Sequence, residues 1–120
     1  MGNYVDGYVV PVPKKKVKEY QKLAQRAAKI WKKHGALQYV EAVADDVKRG
    51  KTTSFLRSVK AKSGETVVFA YVVFRSRADR DRINKKVMSD PALADMCDPK
   101  KLPFDAWRMF WGGFKPLVQF

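Results

Sequence analysis

The chain has 120 residues, of which 46% are hydrophobic, and a formal net charge of +13. This length predicts one domain over residues 1–120 with a core of its own. One cysteine, Cys97, and one histidine, His34, exclude an internal disulfide and a multi-Cys or multi-His metal site within the chain. The first residues do not resemble a signal peptide, and no apolar run approaches the ~20 residues of a membrane span. We therefore expect a cytoplasmic protein without a metal or other cofactor.

The first half of the chain predicts a strand, a helix and a second strand. Residues 4–10 are rich in aromatic and β-branched side chains, and the prolines at 11 and 13 end the run. Apolar residues then recur at helical spacing along residues 14–34, and Gly35 stands where a left-handed cap would end the helix. Residues 37–44 form a second predicted strand. The outer face of the helix is basic, with Lys14, Lys15, Lys18, Lys22, Arg26, Lys29, Lys32 and Lys33.

The second half predicts a hairpin, a helix and a last strand. Residues 53–61 are expected to be extended and to turn at Ser63-Gly64 into the strand VVFAYVVF, residues 67–74. Ser76 is a predicted N-cap for a helix that ends near Asp90. Two short helical turns follow, at residues 90–96 and 98–100, and residues 105–118 form the last strand. Its Gly112-Gly113 pair indicates a bulge or a close backbone approach.

This order of elements predicts an α+β fold of the ferredoxin-like βαββαβ type. Its antiparallel sheet has the spatial order 4-1-3-2, with both helices on one face.

Both central strands are apolar on both faces, which indicates that the face without helices is also covered. Sorting the side chains by size predicts that Tyr4, Asp6 and Tyr8 lie on the face without helices, together with Phe69 and Tyr71. An exposed patch of that kind exceeds what soluble monomers usually tolerate. A second copy of the chain is the preferred cover, with a dimer interface at Tyr4, Phe69, Tyr71 and Val73.

RNA is the alternative cover, because RNA-recognition modules share this topology and stack bases on third-strand aromatics. Residues 69–74 match the later part of their third-strand motif, yet Val67-Val68 replaces the basic residue and glycine that precede it. Asp6 on the same predicted face would repel phosphate. The dimer is therefore favoured over RNA.

Several stretches together resemble the YbaA-like family of bacterial proteins of unknown function. They are YVDGYVVPVPK, KHGALQYVEAVADDV, the FLRSVKAK to ETVVF hairpin, FRSRADRDRINKKVMSDP and DPKKLPFDAWRMFWGGF, and the likeness runs from about Tyr4 to Val118. The resemblance implies a dimeric α+β barrel, a superfamily that includes small cofactor-free monooxygenases, haem-dependent relatives and isomerase-like enzymes. It implies no particular reaction.

Asp6 and His34 are the candidate catalytic residues. A carboxylate on a covered apolar face must be hydrogen-bonded, paired or protonated. Asp6 is therefore either a pocket acid or base or half of a structural ion pair, with Arg108 on the last strand or with a second copy of the chain. His34 lies within the apolar stripe of the first helix, in its last turn. It is either a proton shuttle or a packed ring that the helix C-terminus stabilises.

The candidate pocket residues are Tyr8, Tyr39, Glu41 and Arg108, with Arg108 expected to hold an anionic group. Because Glu41 lies on a predicted edge strand, the alternative for it is a solvated side chain, and that alternative is favoured. We predict a homodimeric barrel that binds or transforms an unknown small molecule without a nucleotide cofactor, because no phosphate-binding glycine loop or nucleotide fingerprint is present. Whether it is an enzyme stays open. The alternative function is a module that binds nucleic acid or another polyanion through the basic face of the first helix.

Overall fold

A computed structural model describes residues 3–120. In chain order the elements are β1 (Tyr4–Pro13), a short 3-10 turn (Lys14–Lys16), α1 (Val17–His34), β2 (Gln38–Val43), α2 (Phe55–Ser58), β3 (Glu65–Phe74), α3 (Arg77–Met88), α4 (Pro91–Met96) and β4 (Phe110–Phe114). The predicted α+β fold is confirmed. Gly35 caps α1 with a φ of 112°, and the Ser76 and Asp90 side chains cap α3 and α4.

The four strands form one sheet in the order β2-β3-β1-β4, as predicted, and every neighbouring pair is antiparallel. The main core lies between this sheet and the helices. Phe74 of β3, Ile83 and Val87 of α3 and Ile30 of α1 are buried together there. The face of the sheet that carries these helices is called the helix face below, and the other is called the open face. No helix within residues 3–120 is long and apolar enough to cross a membrane.

The predicted assignment of the β1 side chains to faces is wrong. In the β1–β3 register Tyr4 pairs with Phe74, Asp6 with Val72 and Tyr8 with Ala70, so all three β1 residues lie on the helix face. Sorting by size grouped large residues with large ones. The register does not follow size: Tyr8 lies opposite Ala70 and Gly7 opposite Tyr71, whereas Tyr4 lies opposite Phe74. Side-chain volume alone therefore does not assign the faces, because packing fills the core with large and small residues together.

The segment before β3 also departs from the prediction. Residues 53–61 are not an extended partner of β3: Ser54 caps the single turn of α2, and Lys60 adopts a positive φ of 50°. Residues 59–61, after α2, fold back onto one end of the open face, where Val59 and Ala61 pack with Val9 and Val67. An acceptor side chain at position 54 favours a helix start over a strand, which explains the difference.

The last strand is shorter than predicted, since β4 spans Phe110–Phe114 and not residues 105–118. Asp105 accepts a hydrogen bond from the Trp107 backbone N–H at 2.9 Å and holds a turn before the strand begins. The predicted close approach at the glycine pair is present at Gly113. A Cβ there would collide with the side chains of Tyr4 and Arg80.

Candidate functional site

A cavity of about 670 Å³ lies between the helix face of the sheet and the helices. Its walls are mostly apolar or aromatic and come from every layer of the fold. Among the lining residues are Tyr8, Val10, Tyr20, Leu23, Ala24, Ala27, Trp31, Tyr39, Ala70, Val72, Met88, Leu93, Met96, Leu102, Phe104, Met109 and Trp111. Glu41, Arg80, Asp81, Asn84 and Lys85 supply charged or amide groups. A few polar groups in an apolar concavity are typical of a small-molecule site.

One polar side of the cavity is formed by Glu41 of β2 and two tyrosines, named here the Glu41 cluster (Tyr20, Tyr39 and Glu41). The Tyr39 hydroxyl donates to Glu41 Oε2 at 2.5 Å, and the Tyr20 hydroxyl donates to Glu41 Oε1. Burial, together with the Glu41 charge, raises the pKa of both phenols well above the ordinary value. Both therefore stay protonated and remain donors to the carboxylate at neutral pH.

A second cavity of about 370 Å³ lies beside the first, between α1 and the β2 edge. It shares Tyr20, Tyr39 and Glu41 with the main cavity. The Glu41 cluster is thus part of the wall between the two cavities. Each carboxylate oxygen accepts from one tyrosine and retains a lone pair, so Glu41 can accept a further hydrogen bond from a ligand.

The opposite polar side of the cavity depends on Asp6. Asn84 Nδ2 donates to Asp6 Oδ2 at 3.1 Å, and Asn84 Oδ1 accepts from Trp31 Nε1 at 3.1 Å. Arg80 Nε lies 3.6 Å from Asp6 Oδ1, and Arg80 Nη2 donates to the Tyr4 hydroxyl at 3.2 Å. Asp6 is fully buried, and this burial raises the pKa of its carboxyl. The network fixes the orientation of Asn84, Trp31 and Arg80, which line the cavity.

Aromatic rings close the β4 side of the cavity. The rings of Tyr8 and Trp111 are stacked with centroids 5.8 Å apart, and the Arg80 guanidinium lies 6.0 Å from the Trp111 ring centroid. Burial raises the pKa of the Tyr8 phenol, so it too stays protonated. These planar walls suit a planar ligand.

Of the six predicted site residues, Tyr8, Tyr39 and Glu41 line the main cavity. Asp6 lies behind Asn84 and Arg80 and is not part of the lining. The prediction that it faces the side without helices is wrong, for the reason of register given above.

The prediction that His34 opens into the pocket is also wrong. His34 Nε2 lies 2.8 Å from Asp90 Oδ2 at the start of α4, and His34 does not line the cavity. The hydrogen bond from His34 and the Ala92 backbone N–H lower the pKa of Asp90 to about 2. Its position in the last turn of α1 places the ring against Asp90, the N-cap of α4. His34 therefore has a structural role.

Arg108 is likewise not a pocket residue and does not pair with Asp6. Its guanidinium makes a bidentate contact with Glu65, at 2.8 and 2.7 Å, and its Nε donates to Asp105 Oδ2 at 2.8 Å. It also donates to the backbone oxygens of Val59 and Lys60. The hydrogen bond from Arg108 lowers the pKa of Glu65. Arg108 precedes β4 and joins the start of β3 to the segments around residues 59–60 and 105.

Three of the four predicted interface residues, Phe69, Tyr71 and Val73, lie on the open face, because they alternate with the buried residues of β3. Tyr4 does not: it is only 6% exposed on the helix face. Two β4 residues, Phe110 and Phe114, pair with Val9 and Val5 and extend the open face.

Sequence reasoning missed Tyr20, Arg80 and Asn84 as site residues. Tyr20 was part of the apolar stripe of α1, where a core role is the more common one. Arg80 and Asn84 are four residues apart on α3, so they share one side of that helix with Ile83 and Val87. That spacing was the available signal, but their partner Asp6 lies more than seventy positions away.

Two sequence comparisons relate the chain to known proteins. The family model described as "Protein of unknown function (DUF1428)" matches residues 3–106. The chain is 44% identical over 115 residues to the uncharacterized protein YbaA of Escherichia coli K12, covering 96% of this chain and 97% of that protein.

Two solved structures share the fold. One is a NIPSNAP family protein of unknown function from Agrobacterium tumefaciens, with a TM-score of 0.61, 14% identity and coverage of 96% of this chain and 88% of that chain. The other is a mutant of SnoaB, a cofactor-independent oxygenase from Streptomyces nogalater, with a TM-score of 0.62, 12% identity and coverage of 99% and 97%. The family match and the YbaA relatives each span most of the sequence, and the chain belongs to the DUF1428 family of proteins of unknown function.

Proposed function

We propose that this protein binds a mainly apolar, ring-containing small molecule in the main cavity and that Glu41 recognises a hydroxyl group on it. The observation that carries the proposal is the cavity of about 670 Å³, whose apolar walls enclose a carboxylate held by two protonated tyrosines. An apolar ligand gains by leaving water, and one hydroxyl aimed at Glu41 would orient it. The stacked Tyr8 and Trp111 rings favour a planar body.

The likeness to an oxygenase that is cofactor-independent supports a function that needs only the cavity and its ligand. This likeness is one of fold alone, so we propose binding of a ligand and no reaction. The roles of Asp6 and His34 as proton carriers stay predictions, and neither is part of the proposed site. Asp6 instead supports the cavity by holding Asn84 and Arg80.

Isothermal calorimetry with 1-naphthol and 1-methoxynaphthalene tests the proposal. The wild-type protein should bind 1-naphthol about tenfold more tightly than 1-methoxynaphthalene, because only 1-naphthol can donate a hydrogen bond to the charged acceptor. Glu41→Gln should remove most of this preference while it leaves the shape of the cavity unchanged. Equal affinity of the wild type for both probes, or no uptake of either, would contradict the proposal.

A matched control separates the site from general hydrophobic binding. Glu65→Gln changes the same side chain on a neighbouring strand, where Glu65 contacts Arg108 and does not line the cavity. Glu65→Gln should leave the preference for 1-naphthol over 1-methoxynaphthalene intact. An oxygen electrode in the same titrations detects turnover: oxygen consumption above the buffer rate would extend the function from binding to oxidation of the probe.

We further propose that two copies assemble through the open face. Phe69, Phe110 and Phe114 are 45%, 47% and 62% exposed there, beside the partly buried Tyr71 and Val73. No charged side chain lies between these five residues on the paired strands, and a patch of this kind is typical of protein contacts. Two such sheets packed face to face would place a second apolar core between them.

Sedimentation velocity tests the assembly. Phe114→Asp puts a charge into the proposed interface and should weaken dimerisation at least 100-fold, since an unpaired buried carboxylate is strongly unfavourable. Trp107→Asp is the control, because Trp107 is 97% exposed in the turn before β4. A monomeric wild type, or equal dissociation in both variants, would contradict the dimer.

A further inference from the structure

The outer side of α1 carries a straight row of cations that the cavity does not use. Lys18, Lys22, Arg26 and Lys29 recur every three or four residues and are all exposed, which places them in one stripe along the helix. We call these four residues the basic stripe. Lys14, Lys15 and Lys16 precede it, and Lys32 follows it. Glu19 is the only acidic residue in α1.

The four cations of the basic stripe have no acidic partner in the part of the chain that the structure describes. Among residues 3–120, none of them has a carboxylate oxygen within 4.0 Å, whereas nearby Lys33 contacts Asp90 at 3.2 Å. Four unpaired cations held on a rigid helix repel each other, and a polyanion laid along them would relieve this repulsion. The stripe therefore points to a ligand with regularly spaced negative charges.

The length of the stripe matches a nucleic-acid backbone. From Lys18 to Lys29 the helix rises about 16 Å, at about 1.5 Å per residue. A duplex carries one phosphate per about 1.7 Å of axis when both strands are counted, so about ten phosphates span this length and those on the near side can face the four cations. Lysine and arginine side chains contact phosphates, and such contacts position a duplex without carrying sequence information directly.

The apolar side of α1 argues against a membrane and against a single strand. Interfacial helices insert apolar side chains into the lipid, but Tyr20, Ile30 and Trp31 of α1 are buried in the core. Single-stranded nucleic acid is usually held by exposed aromatic platforms. The stripe contains none, because both aromatic residues of α1 face inward.

From these observations we propose that the basic stripe of α1 binds the phosphate backbone of double-stranded nucleic acid without sequence preference. The site is separate from the small-molecule cavity, which the opposite side of α1 lines through Tyr20, Ala24 and Ala27. It also lies on the side of the sheet away from the open face, so the proposed dimer would leave it free. Its failure would therefore leave the proposed function untouched.

Fluorescence anisotropy with a labelled duplex DNA of arbitrary sequence tests the proposal, with the same sequence as an RNA duplex in a second arm. Four phosphate contacts predict a slope of log affinity against log salt of about −3.6. Affinity should then fall about 150-fold between about 50 mM and about 200 mM salt. Binding to either duplex with such a slope supports the proposal.

The decisive comparison uses two double variants with the same change of charge. Lys22→Gln with Arg26→Gln should reduce affinity at low salt at least tenfold and make the slope shallower by about 1.8. Lys48→Gln with Arg49→Gln alters two exposed cations in the loop after β2 and should retain the wild-type slope. All four positions are exposed, so folding should be preserved.

Three results would overturn the proposal. One is the absence of duplex binding at about 50 mM salt, where four contacts should be measurable. The second is an equal loss in the two double variants, which would assign binding to net charge alone. The third is binding to phosphatidylserine vesicles that requires the stripe, without any duplex binding, which would assign the stripe to a lipid surface.

Discussion

The two faces of the sheet are both apolar and aromatic, but only the helix face also contains carboxylates. The helix face includes Asp6 and Glu41, and each has hydrogen-bond partners from another element. The open face presents Phe69, Phe110 and Phe114 with no charged side chain between them. Burying a carboxylate is costly unless the fold holds it. This difference is the basis of the two proposals, a ligand site on the helix face and a contact between two copies on the open face.

The contrast in packing is tested most strongly by two phenylalanines of β3. Phe74 is fully buried on the helix face, whereas Phe69 is 45% exposed on the open face. Phe74→Ala should lower the free energy of unfolding by about 3–5 kcal/mol through lost burial and a cavity. Phe69→Ala should cost less than half as much in urea titrations at concentrations that keep the protein monomeric. Equal losses would mean that both faces are core within one subunit.

Arg108 sharpens the boundary of the ligand site. Because it joins Glu65, Asp105 and the backbone at residues 59–60, Arg108→Met should cost about 2–3 kcal/mol in urea unfolding. It should leave the affinity for 1-naphthol unchanged. Loss of probe binding in a folded Arg108→Met protein would restore Arg108 to the pocket and contradict the geometry described here.

The tyrosines of the Glu41 cluster test whether the carboxylate is held in place. Tyr20→Phe and Tyr39→Phe each remove one donor, and each should lower the free energy of unfolding by about 1 kcal/mol. The loss of unfolding free energy in the double variant should differ from the sum of the two single losses, because both hydroxyls donate to the same carboxylate. Strict additivity in a double-mutant cycle would show that the two hydroxyls act independently.

The smallest expected effect concerns Asp90, outside both faces. Its pKa of about 2 in the fold lies below the ordinary value of 3.8, so its ionised form stabilises the protein above about pH 4. This contribution should disappear as the pH falls from about 4 through about 2. Asp90→Asn should therefore be less stable than the wild type at about pH 5, and the difference should vanish near pH 2. A constant difference across this range would contradict the assignment.

The fold could be predicted from the sequence because its signals are local. The helical period of residues 14–34, the cap at Gly35 and the apolar run of residues 67–74 specify the elements and their order. Sequential order and short connections then leave few topologies for four strands. Ser54 was the missed local signal, since its side chain caps α2 where a strand was expected.

The site was only partly predictable because it depends on contacts between distant positions. Tyr39 and Glu41 alternate along one strand, so their common face follows from local geometry. The face of Asp6 depends on the β1–β3 register, and its partners Arg80 and Asn84 come from α3. Where both faces of a strand are apolar, alternation alone does not say which one the helices cover.

Sedimentation velocity with 1-naphthol, recorded in the absorbance bands of both the protein and the probe, tests the central claim that the two faces have separate roles. The wild type should sediment as a dimer that carries the probe. Phe114→Asp should sediment as a monomer that still carries it, and Glu41→Gln should sediment as a dimer with most of the probe left free. If either substitution changed both readouts together, or the wild type were a monomer without probe, the assignment of ligand to one face and assembly to the other would be contradicted.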